Sequence, residues 1–170
     1  MTETWEAPLH RIALSWLALC AFPAASQEAT FSVRQLTPET ALKAAQAGLA
    51  ACRTSGYQVA VAVVDRSGIA QVVLRDRFAG PHTVEAAANK AWTAASFRQD
   101  TSALSRMSEP GQPAAPIRHF PRVTVMGGGV PIEAGGSLLG AIAVSGAPGG
   151  EADEACARAG LEAIREEIEF

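Results

Sequence analysis

Residues 59–97 read VAVAVVDRSGIAQVVLRDRFAGPHTVEAAANKAWTAASF, and this stretch decides the fold. Val59 to Val64 is a nearly continuous apolar run with β-branched residues, the pattern of a strand in the middle of a sheet. Asp65-Arg66-Ser67-Gly68 supplies turn chemistry, with Gly68 taking the positive φ of a hairpin loop. Ile69 to Leu74 returns as a second strand, and Arg75, Asp76 and Arg77 mark its end in solvent. Gly80-Pro81 then opens a helix. On it Val84, Ala87, Ala88, Ala91 and Ala95 recur on one small apolar face that can lie flat and close on a sheet.

Working outward, Thr37-Pro38-Glu39 is a helix start. Thr caps, Pro suits the first helical position, and Glu complements the positive end. Leu42, Ala45, Leu49 and Cys52 follow at helical spacing, and Gly56 ends that helix. On the other side, residues 109–120 hold Pro110, Pro113 and Pro116 and read as a loop. Arg122 to Met126 alternates like a strand, and Gly127-Gly128-Gly129 leads into Val130-Pro131-Ile132. A turn at 133–136 precedes the apolar strand Leu138 to Val144, and Leu161, Ile164 and Ile168 mark the buried stripe of a last helix. Two hairpins imply an α+β domain with a roughly five-stranded, mainly antiparallel sheet and helices packed on it.

The N-terminus reads differently. Ile12 to Phe22 is an apolar run too short to span a bilayer, followed by Pro23 and the small residues Ala24, Ala25 and Ser26. The expectation is a signal peptide over 1–26, a single domain over 27–170, and a periplasmic or secreted protein with no membrane span in its mature chain. Net charge is −3 with no basic block, which excludes nucleic acid as the expected partner. Cys52 and Cys156 lack motif spacing and read as two small buried thiols, although an oxidising compartment would permit a bridge.

Several pieces carry a family resemblance: VAVVDRSG (61–68), AGPHTVEAAANKAWTA (79–94), TSAL (101–104), GGGVPI (127–132) and GAIAVSGAPGGEADEACARAG (140–160). In their order and spacing the chain resembles the GlcG/HbpS family of haem-degrading domains from Leu36 onward, in its secreted branch. The resemblance implies a profilin-like fold, symmetric homo-oligomers, and haem or a related tetrapyrrole as the ligand of some members. Haem-binding relatives can carry a His at the start of the first strand. Here that place holds Gln58, a poor haem ligand.

Candidate site residues follow from chemistry. His82 begins the second helix, whose positive end favours the neutral imidazole that ligates metal. It is the expected metal ligand, with His119 of the proline-rich loop as the alternative. Lys90 and Arg77 are the expected partners of a carboxylate or propionate. Gly127-Gly128-Gly129 lacks the following helix of a phosphate cradle, and with Pro131 reads as a tight connection that a flat ligand or another backbone can approach. No catalytic set can be assigned: there is no Cys-x-x-Cys, no His-x-x-x-His, and neither His82 nor His119 has a partner fixed by sequence. The expected function is an oligomeric binding protein for haem or a similar planar anionic small molecule. The alternatives are an enzyme acting on haem or a small organic acid, and a non-catalytic interaction module.

Overall fold

Strand β1 (Ala60–Asp65) sits in the middle of the molecule, with five of its six residues buried. Asp65 closes the turn that follows, its Oδ1 accepting from Ser67 and Ile69 N–H at 2.8 and 2.9 Å, and Gly68 takes φ +79. The chain returns as β2 (Ala70–Arg75), antiparallel to β1. After helices described below, β3 (Gly129–Ala134) and β4 (Ser137–Ser145) form a second hairpin, and β4 pairs antiparallel with β1. The sheet order is β2-β1-β4-β3. This computed structural model describes residues 1–2 and 29–169, so the apolar run Ile12 to Phe22 and the small-residue cleavage site lie outside the described residues.

The two faces of the sheet are built from different side chains. Val59, Val61, Val63, Ile142 and Val144 point to one face, where α1 (Pro38–Thr54) and α4 (Gly150–Glu162) cover them. Ala60, Ala62, Ala141 and Ala143 point to the other, against Ala87, Ala91, Ala94 and Ala95 of α2 (His82–Phe97). Alanine against alanine lets a helix backbone lie close to the strands, as the small-residue face predicts. Thr37 caps α1 by accepting from Thr40 N–H at 3.2 Å, again as expected.

Three expectations are corrected. Four strands form, because Arg122 to Met126 is irregular: Thr124 N–H bonds the Thr93 hydroxyl on α2 at 2.9 Å instead of a neighbouring strand. The last helix breaks after Glu162 and resumes as a turn of helix, α5 (Arg165–Ile168), with Ile164 and Ile168 still buried. Cys52 and Cys156 form a disulfide that ties α1 to α4, with Cα atoms 5.5 Å apart. A short helix, α3 (Thr101–Met107), follows α2, and the proline-rich loop contains a 3-10 turn at Ala115–His119.

Candidate functional site

At one end of the sheet β1 and β3 begin and β2 and β4 finish, and α2 and α4 start beside it. Two corners of that end hold an aspartate bound to a cation, in different surroundings.

The first corner lies where β2 leaves β1. Asp76 N–H continues the ladder to Val59 C=O at 2.9 Å, which carries the aspartate inward until it is 2 % exposed. The sequence places this residue in solvent; the structure corrects that. Its carboxylate is met by Arg53 of the last turn of α1, Nε donating to Oδ2 at 2.7 Å and Nη2 to Oδ1 at 2.9 Å. Arg77 N–H adds a third bond to Oδ1 at 2.9 Å. Led by the Arg53 bonds, these contacts hold the Asp76 carboxyl down at about 2. Arg75 donates to Ala79 C=O at 3.0 Å and holds the loop shut from behind.

What this loop presents outward is Arg77 and Phe78. Phe78 is 80 % exposed, and the Arg77 guanidinium makes no hydrogen bond among the described residues. Together with Gln58, Arg53 and Asp76 they line an open groove of about 380 Å³. The Gln58 Oε1 is buried and has no partner among the described residues. Among the described residues the groove therefore offers a guanidinium with no hydrogen bond, an aromatic face and an amide oxygen with no partner.

The second corner lies where β4 ends beside the start of β3. Lys90 and Asp153 are both buried, with side chains 2 % and 5 % exposed, and Lys90 Nζ donates to Asp153 Oδ2 at 2.7 Å and to Val144 C=O at 3.1 Å. Ala147 N–H donates to the other carboxylate oxygen at 2.9 Å. Burial pushes the Asp153 carboxyl up, by more than Lys90 and the backbone amides pull it down. The glycine run makes room for this pair. A Cβ on Gly128 would stand 2.7 Å from Asp153 Cβ and 3.0 Å from Lys90 Nζ, and one on Gly129 would stand 2.7 Å from both Lys90 C=O and Thr101 Cγ2. The approach the glycines permit is thus made by the protein itself. Lys90 finds its anion inside the fold, and Gly128 and Gly129 face packed atoms. Pro131 pairs with Ala141 on the edge strand.

His82 is exposed at the first turn of α2 and does not line the groove. Its ring folds over Gly80, where a Cβ would come 2.7 Å from Cε1 and 2.9 Å from Nδ1. His119 is exposed at the end of the 3-10 turn. No group of three or more His, Cys, Asp and Glu side chains suited to a metal occurs among the described residues. Of the expected site residues, Arg77 alone lines the groove. Arg53, Asp76 and Phe78 were not expected there. The one available signal was Asp76 itself, a carboxylate flanked by two arginines directly after a strand.

Residues 36–162 match the family model described as haem degrading protein HbpS-like. Among solved structures, a double mutant of HbpS from Streptomyces reticuli superposes with a TM-score of 0.76 at 38% identity, covering 85% of this chain and 97% of that one. The protein ORFY of Klebsiella pneumoniae gives a TM-score of 0.78 at 27% identity, covering 82% and 97%. A complex of PduOC with heme gives 0.71 at 27% identity, covering 76% and 95%.

Proposed function

Since the chain belongs to the HbpS-like family, whose model is described as haem degrading, we propose that it is an oligomeric binding protein of the periplasm or cell exterior for a planar anionic small molecule of the tetrapyrrole kind. The observation that carries this reading is the groove beside Gln58. It combines the Arg77 guanidinium, which makes no hydrogen bond among the described residues, for a carboxylate with the exposed Phe78 ring for a flat face. The solved heme complex of PduOC supports the choice of ligand class.

The residues fit such a ligand in part. A propionate and a ring edge match Arg77 and Phe78. An iron atom finds no good partner, because the groove supplies an amide, two guanidiniums, a phenyl ring and a carboxylate already committed to Arg53. Absorbance titration with hemin tests the binding reading: saturable binding is expected, weakened by about tenfold or more in Arg77→Ala, the loss of one charge-assisted contact. Absence of saturable binding to the wild type would end it.

Location and assembly rest on separate observations. The Cys52–Cys156 disulfide and the apolar run 12–22 followed by small residues both suit export to an oxidising compartment. Exported protein should begin near Gln27 by intact mass. On the edge strand and its turn, Val73 is 40 % and Ile69 66 % exposed, an apolar strip suited to contact between copies. Light scattering should give a multiple of the protomer mass.

A further inference from the structure

We propose that the groove holds its ligand without a bond to a central metal, so that a metal-free planar tetrapyrrole is taken as readily as its iron form. This deepens the binding reading above and rests on it.

An axial ligand must bring a nitrogen, sulfur or anionic oxygen to the middle of the flat face. Gln58 brings to the groove a buried Oε1 that has no partner among the described residues. Whichever way its carboxamide is turned, it presents a hydrogen-bonding group and a feeble neutral metal ligand. Among the described residues that line the groove the only carboxylate, Asp76, already accepts two bonds from Arg53 and one from Arg77 N–H. Neither His82 nor His119 lines the groove, and the His82 ring is folded over Gly80. Nor does a methionine: Met107 is an acceptor for Gln99 Nε2 at 3.3 Å on α3, and Met126 lies before β3.

The contacts that remain act on the periphery of a ligand. Arg77 reads a carboxylate. Phe78 reads a plane. Gln58 reads a polar edge. None of the three is sensitive to what sits at the centre of the ring. Affinity should therefore follow the carboxylates and ignore the metal.

The experiment compares protoporphyrin IX, its dimethyl ester and hemin on the purified full domain. Protoporphyrin IX and hemin should bind with dissociation constants within about threefold of one another, less than one good hydrogen bond is worth. The ester should bind about tenfold more weakly, matching Arg77→Ala with the free acid. Hemin-loaded wild type should lack the spectrum of nitrogen-ligated iron. Gln58→His should create that spectrum and tighten hemin by about tenfold or more while leaving protoporphyrin IX unchanged. Hemin binding tenfold or more above protoporphyrin IX in the wild type, with nitrogen ligation lost in His82→Ala, would overturn the inference and leave the binding reading standing. If no tetrapyrrole binds saturably, both fall together.

Discussion

The two corners at the end of the sheet each hold an aspartate on a cation, Lys90 at one and Arg53 at the other, and use the pair differently. At one, Lys90 and Asp153 meet in the interior, with side chains 2 % and 5 % exposed, behind glycines that leave no space for a third party. At the other, Asp76 is equally buried, but its partner Arg53 is 51 % exposed and the pair forms the wall of an open groove. The difference follows from where the chain puts bulk. The closed corner has Gly128 packed on the pair itself, with Gly127 against the Gly150 backbone and Gly129 against the Lys90 backbone. The open corner has Arg77 and Phe78 standing away from it. A closed pair joins α2 to α4. An open pair fixes the loop that carries Arg77 and Phe78.

This contrast can be broken by mutation, and the largest effect is expected at the closed corner. Asp153→Ala strands the Lys90 ammonium in the interior and should cost about 3–5 kcal/mol in urea melts. Replacing both partners by apolar residues of similar volume, Lys90→Met with Asp153→Leu, should recover most of that loss. If Asp153→Ala melts like wild type, the corner is wetter than its burial implies.

Next in size is the tie behind the open corner. Cys52 precedes Arg53 in α1 and links it to α4 across 104 residues of sequence. Cys52→Ser with Cys156→Ser should lower stability by about 2–5 kcal/mol. Urea melts with and without reductant check this. Reduction should destabilise the wild type and leave the double mutant unchanged.

Smaller still is the packing of the alanine layer against the sheet. Ala91 is fully buried between α2 and the strands. Ala91→Leu should overpack that layer and cost about 1–3 kcal/mol, read from the same melts. An unchanged midpoint with an unchanged slope would show slack between α2 and the sheet.

The smallest expected effect is on pH dependence, and the corners should differ in sign. The Asp76 carboxyl is lowered from 3.8 to about 2, so its contribution is present above the ordinary carboxylate range and is lost as pH falls toward 2. Arg53→Ala removes the main cause and should move that loss upward in pH. The Asp153 carboxyl is raised by burial, so the folded state takes up its proton first and this group's contribution improves as pH falls through its window. Thermal midpoints of wild type, Arg53→Ala and Asp153→Asn from neutral pH into the acid range check both signs.

Features set by neighbours in the chain were legible in the sequence. The Asp65–Gly68 turn, the Thr37 cap and the small face of α2 depend on residues within one turn of each other. The resemblance over Leu36 onward added the fold class. The site was less legible because its pairs are distant: Asp76 meets Arg53 from 23 residues away, and Lys90 meets Asp153 from 63. A charged triplet after a strand has the pattern of a solvated end unless its partner is known. The glycine run was legible as a close approach, but periodicity has no means of saying that Lys90 makes it. The fifth strand failed for a related reason. Alternation at Arg122 to Met126 describes an extended chain, and whether that chain joins a sheet depends on Thr93.

On the proposed reading the open corner binds and the closed corner only holds the fold together. The most direct test is one titration series with protoporphyrin IX on three proteins: wild type, Arg77→Ala, and the Lys90→Met, Asp153→Leu pair. Arg77→Ala should weaken binding about tenfold or more, while the apolar pair should bind within about twofold of wild type. Loss of binding in the folded apolar pair, with Arg77→Ala unchanged, would contradict it and move the site to the glycine corner.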